Sequence, residues 1–203
     1  MNGSAAAGAD QGPGTSKIAG HLLIWLLVAD VAGAAARLAV PPLLIRRDTA
    51  FARVHHQPVR GWQNHLGIDV KPIVVLSRVA FAATVVVFLI WFFLARADAE
   101  QSGWPQRRAR AWVFWGWVIP GAVLWIPFQI MGDIWRAHLP PSRRRRIAWL
   151  PVVWWTSWLF TGLLSSGQHA GYSLKLASTW WQFTLFTIAA SALIAIIQTV
   201  SRR

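Results

Sequence analysis

Apolar residues come in five blocks along the chain, at about 18–45, 72–95, 111–131, 147–164 and 176–201, with short polar and mostly basic stretches between them. At about 1.5 Å of rise per helical residue, some 20 apolar residues cross the roughly 30 Å hydrocarbon core of a bilayer. The blocks therefore predict an all-α, polytopic integral membrane protein. The last is the cleanest, with 26 uncharged residues followed directly by Arg202 and Arg203. Ahead of the first block, "MNGSAAAGADQGPGTS" is small, polar and Gly-rich, and buries too little surface to offset the entropy of ordering. Residues 1–17 are thus expected as a disordered tail and 18–203 as a single helical membrane domain. A signal peptide is the rival reading of the first block, from Lys17, "LLIWLLVA" and "AGAAA", but Asp30 falls where such a peptide stays apolar.

The third block differs from the others. Its 21 residues carry no charge, yet Pro120 and Pro127 lie inside it. Each proline removes a backbone donor and presses on the carbonyl one turn back, and lipid cannot satisfy the carbonyls so freed. Pro120 is followed by Gly121, a pair suited to a sharp reversal, whereas Pro127 is compatible with a kink. The expectation is four full transmembrane helices plus this Pro-broken segment, which either re-enters or makes a fifth span; the Pro-Gly pair leans toward re-entry.

Charge does not separate the two. Lys and Arg number 20 against 7 Asp and Glu. By the positive-inside rule, four spans with a cytoplasmic N-terminus place 12 basic residues inside and 6 outside, and five spans with an external N-terminus give the same division. The re-entrant alternative keeps Arg96, Arg107, Arg108 and Arg110 on the side of Arg136. The stretch "GDIWRAHLPPSRRRR", with Arg143, Arg144, Arg145 and Arg146, reads as a contact for anionic lipid headgroups rather than for nucleic acid, because no reading helix or stacking platform accompanies it. Within it Asp133 and Arg136, three apart, are spaced to pair on an exposed turn. Arg far exceeds Lys and Ala is abundant, which points to a GC-rich bacterial genome and a multi-pass place in the cytoplasmic membrane.

Ionisable groups at membrane depth are costly, so Asp30, Arg37 and Arg78 are candidate intramembrane polar residues, together with Gln129 in the broken segment. Asp30 and Arg37 lie near one helical face but two turns apart, too far for an ideal direct pair. Arg37 and Arg78 are also placed to snorkel. Many of the 15 tryptophans fall near span ends, among them Trp104, Trp112, Trp115, Trp149, Trp154 and Trp180, and are expected in the headgroup belt. His55, His56 and His65 share a polar connector, but Arg53 and Arg60 beside them oppose a cation, so neither metal nor cofactor is expected. The chain has no Cys and one Glu, and no nucleophile elbow, HExxH or phosphate-binding glycine loop. No enzymatic activity is read from it.

The succession "VVVFLIWFFLARADAE", "WVIPGAVLWIPFQIMGDIWRA" and "WLPVVWWTSWLFTGLL" resembles the bacterial membrane family known as domain of unknown function 4328. The matching positions are Trp91 and Phe92, then Trp117, Pro120, Trp125, Pro127, Gln129, Ile134, Trp135 and Arg136, then Trp154, Trp155 and Trp158, within about residues 74–164. Phe128 stands where the family pattern has Tyr, and its basic residues after the Ile-Trp-Phe element are displaced to Arg96. The resemblance implies architecture and no reaction. The functional expectation is a non-enzymatic protein acting by interaction with membrane lipid and with another membrane protein or its own copies; the alternative is a small carrier that uses the broken segment at 111–136.

Overall fold

The computed structural model of the chain describes residues 14–55, 71–140, 142, 149–166 and 172–201. These are helical throughout their regular parts: α1 (Gly14–His55), α2 (Lys71–Gln101), α3 (Trp112–Val118), α4 (Ile126–His138), α5 (Trp149–Ser166) and α6 (Tyr172–Ser201), with a single 3₁₀ turn at Ala122–Leu124. In hydrocarbon a backbone must satisfy its hydrogen bonds within itself, and uninterrupted apolar runs do so as helices. α1 takes in Gly14 to Lys17, ahead of the apolar block, and runs on past the block's end at Ile45.

Among the described residues three stretches are long and apolar enough to cross a membrane: Gly14–Ala39, Val75–Gln101 and Thr179–Ser201. Counting the bent pair α3 and α4 as one span would make four. The described residues thus show an all-helical chain with three candidate spans, or up to four, and do not confirm the expected four full spans plus a broken segment. α5, with 18 described residues, is not among the three.

α1 packs between α2 and α6, α5 lies along α6, and α4 is wedged among α2, α5 and α6. Gly20 of α1 brings three helices together at one end: a Cβ there would stand 2.9 Å from Ile197 Cγ2, 3.2 Å from Ser201 Oγ and 3.3 Å from Trp91 Nε1. Near the middle of α1, a Cβ on Gly33 would meet nothing within 4 Å. The helices thus converge around Gly20 and part toward Gly33. The core gathers Leu23, Trp91, Phe92, Ile130, Ile134 and Ile197, while Ile18, Trp25, Leu76 and Leu163 keep 65–72% of their surface exposed. Large apolar side chains turned outward suit a lipid surround.

The broken third block doubles back. α3 and the segment Ala122–His138 meet at a bend of 113°. Ile119 is extended, at φ −78° and ψ 119°, as the ring of a following proline demands. Gly121 sits at φ 82°, a left-handed conformation that a side chain would strain. Pro127 does not kink a helix: it occupies the first turn of α4, where its missing N–H costs no ladder bond. Gly116 then lets the arms close, since a Cβ on it would lie 2.9 Å from Ile126 Cγ2.

Candidate functional site

A latch of charged groups holds the base of this hairpin. Asp133, only 2% exposed, accepts the backbone N–H of Arg107 at 3.1 Å and lies 3.6 Å from Arg107 Nε and 3.7 Å from Arg136 Nη1. Arg107 and Asp133 are 26 residues apart, about 39 Å along a straight helix, so the 3.1 Å contact exists only because the segment folds back. Arg108 donates from Nε to Gln129 Oε1 at 3.1 Å and rests its guanidinium 6.0 Å over the Trp112 ring. The end of α2 joins in. Buried Arg96 contacts Glu100 at 2.9 Å and donates to the carbonyl of Arg108, and Arg110 donates to Glu100 from Nε at 3.1 Å and also from Nη2. Two carboxylates thus organise four guanidinium groups, Arg107 and Arg136 at Asp133 and Arg96 and Arg110 at Glu100.

Aromatic rings secure the tip. Trp117 of α3 stands edge-on to Phe88, Trp155 and Trp158, with centroids 5.7, 5.8 and 5.7 Å away, an arrangement that places positive ring edges on negative faces. Trp155 Nε1 donates to the carbonyl of Leu124 at 2.9 Å. That carbonyl lies in the break just before α4, so a tryptophan of α5 supplies a donor to backbone that the broken helix leaves outside its ladder.

Where the helices part, a cleft of about 630 Å³ opens between α1, α2 and α6, touching α5 at Thr161. Asp30, Arg37, Arg78 and Gln182 line it, among small residues of α1 and the rings of Phe81, Phe183 and Phe186. Asp30 is 7% exposed and its Oδ2 has no hydrogen-bond partner; the buried Nε2 of Gln182 has none either. The polar neighbour of Asp30 is Thr84, whose hydroxyl donates to the Ala80 carbonyl at 3.0 Å. Arg37 and Arg78 are exposed at the mouth.

The structure therefore brings three of the candidate polar residues, Asp30, Arg37 and Arg78, to one cleft and places the fourth, Gln129, apart from them at the latch. Arg108, carried past it by the reversal at Gly121, takes its amide oxygen. Asp133 and Arg136 do pair, but on the most enclosed helix of the bundle and not on an exposed turn, with Trp135 buried beside them. Trp154, expected in the interfacial belt, is 3% exposed and packs 5.9 Å from Phe88. Trp115, Trp149 and Trp180 face outward, each more than half exposed. Of the motif residues, Trp117, Pro120, Trp125, Pro127, Ile134, Trp135 and Arg136 all belong to the hairpin and its latch. Arg143, Arg144, Arg145, Arg146, His56 and His65 lie outside the described residues, as does the side chain of His55.

Sequence reasoning missed three things. The Arg96–Glu100 pair was legible as an i, i+4 spacing on α2. Gln182 stands out as a polar residue in the last apolar block. The role of Trp155 carried no local signal, because its acceptor is 31 residues away.

Residues 70–202 match the model of a family described as Domain of unknown function (DUF4328). No curated protein and no solved structure matches the chain.

Proposed function

The chain belongs to that family, whose description assigns no activity, and we propose that it is a non-enzymatic, multi-pass membrane protein that acts by interaction, as an accessory subunit or scaffold contacting lipid and partner helices. The observation that carries this reading is where the hairpin spends its polar atoms. Discontinuous helices serve carriers by offering unsatisfied backbone and side-chain groups to a substrate. Here the Leu124 carbonyl is taken by Trp155, Gln129 by Arg108, and Asp133 by Arg107 and Arg136. Such a hairpin is a built structural part and leaves little for a transported solute, while the outer faces of α1 and α2 remain broadly apolar and open to neighbours.

In this reading the hairpin enters and leaves on one side of a bacterial cytoplasmic membrane, with the arginines around 107–110 and Arg136 in the same aqueous layer. The absence of native cysteine makes that directly testable. Cysteines introduced at Ser102 and Ser142 are expected to react with an impermeant maleimide from the same face of intact cells; labelling from opposite faces would replace the hairpin with a crossing.

Function is tested by extracting the protein with its surrounding native lipid and weighing the released complexes. A stoichiometric membrane-protein partner, or a homo-oligomer whose helices cross-link through the apolar faces of α1 and α2, is the expected result. Solute flux in liposomes that disappears on Gln129→Ala would sink the interaction reading and establish the carrier.

A further inference from the structure

The cleft where the helices part is not explained by the latch, and its chemistry is specific. A buried carboxylate with an unpartnered oxygen is costly at membrane depth and calls for a cationic or donor group beside it. Arg37 acts on Asp30 electrostatically but closes no ion pair with it. Seven residues separate them on α1, about 10 Å of rise, and a helical side chain leans toward the N-terminus, so Arg37 inclines back over the gap. Arg78, near the start of α2, completes a cationic mouth, and the Gln182 amide offers a second unpartnered group inside. The site therefore presents cations at its mouth and an anion deeper in, with apolar walls around both.

A partner helix does not fit this space. A helix about 10 Å across advances about 5.4 Å per turn and fills roughly 400 Å³ in doing so, so the 630 Å³ cleft would hold less than two turns. Binding sites for small molecules run from about 300 to 1,000 Å³.

We infer that this cleft binds the head of a zwitterionic phospholipid, with the phosphate at Arg37 and Arg78, the protonated amine against Asp30, and the acyl chains along the apolar walls toward the bilayer. The anion alone would satisfy the arginines and leave Asp30 worse off; an amine alone would meet the two guanidinium groups first. Only a molecule that joins both charges answers both. The Asp30–Arg37 gap is open toward the small side chains of Ala29, Gly33 and Ala34, which leave room for chains to pass. The inference rests on α1, α2 and α6 spanning a bilayer and goes beyond the interaction reading by naming the lipid chemistry.

The test reconstitutes the full chain in nanodiscs of equal phosphatidylethanolamine and phosphatidylglycerol, and counts the lipids that stay bound when the disc is removed in native mass spectrometry. Wild type is expected to keep phosphatidylethanolamine over phosphatidylglycerol by about tenfold. Asp30→Asn should bring the ratio to within about twofold by raising the share of phosphatidylglycerol, and Arg37→Gln with Arg78→Gln should lower retention of both. Gly33→Leu, at a position where a Cβ would meet nothing within 4 Å, should displace the lipid while helical content and monodispersity match wild type. Adding free phosphoethanolamine separates the sources: failure to displace the lipid supports the inference, and displacement by it alone reassigns the cleft to a soluble phosphoamine. Equal retention of the two lipids by wild type, or unchanged selectivity in a folded Asp30→Asn, overturns the inference while leaving the partner-extraction result, and so the interaction reading, untouched.

Discussion

Replacing Asp133 by Asn keeps the shape of the latch and removes its charge, which makes the energetics separable. The carboxylate accepts the Arg107 backbone N–H at 3.1 Å. A hydrogen bond to a charged acceptor contributes about 1.5–3 kcal/mol and a neutral one about 0.5–1.5, so this contact should weaken by about 1–1.5 kcal/mol. The guanidinium contacts at 3.6 and 3.7 Å are longer than hydrogen bonds, and their arginine side chains are 60% and 25% exposed. Solvent screening limits each to about 0.5 kcal/mol or less. The expected loss is about 2 kcal/mol, which for a chain of this size lowers Tm by about 4–8 °C. Arg107→Ala removes only a screened side-chain contact and leaves the backbone donor in place, so it should cost about 0.5 kcal/mol and shift Tm by about 2 °C or less. Thermal unfolding of both variants in nanodiscs, followed by near-ultraviolet circular dichroism, measures the difference. If Arg107→Ala destabilises as much as Asp133→Asn, the side chains carry the latch and the argument from the backbone donor is wrong.

Trp155→Phe keeps the aromatic contact with Trp117 and strips the donor to the Leu124 carbonyl, and should destabilise by about 1–3 kcal/mol while speeding deuterium exchange around the 3₁₀ turn. Gly20→Ala forces a Cβ to 2.9 Å from Ile197 Cγ2 and should cost about 1–3 kcal/mol in SDS-driven unfolding, whereas Gly33→Ala, with nothing within 4 Å, should stay within about 0.5 kcal/mol of wild type. Introducing any residue with a side chain at Gly121 should strain the φ of 82° and raise the labelling rate of a cysteine placed at Ala122, with Gly121→Asn the mildest because Asn tolerates that region.

The local parts of this architecture could be read directly. Uninterrupted apolar runs gave α2 and α6, because helix formation in lipid depends on little beyond the run itself. Pro120 and Gly121 announced a reversal, since Pro fixes its own φ and Gly enters the left-handed region without strain. Asp133 and Arg136 paired at the spacing of one helical turn. What stayed hidden depended on distance along the chain. Pro127 is compatible with a kink or a helix start, and only the position of the preceding bend decides. Indoles suit a headgroup belt and a core with a nearby acceptor equally well, so the inward turn of Trp154 and Trp155 left no mark on the sequence. The burial of Asp133 likewise follows from α4 being wedged inside the bundle. In the cleft, Asp30, Arg37 and Arg78 could be suspected singly, yet their convergence depends on α1 and α6 meeting at Gly20 and parting beyond it.

The crossing of Trp117 with Trp155 and Trp158 also makes the hairpin observable by light. Indole rings less than 6 Å apart couple their electronic transitions, and these rings are held at 77° and 88° to one another. Folding the hairpin against α5 therefore adds an exciton contribution, over that of the Trp154–Trp155 and Trp155–Trp158 pairs within α5, that is lost when α3 lifts away. Opening can then be timed in the unmodified chain, with no label at all, and Trp117→Phe identifies which part of the spectrum reports it.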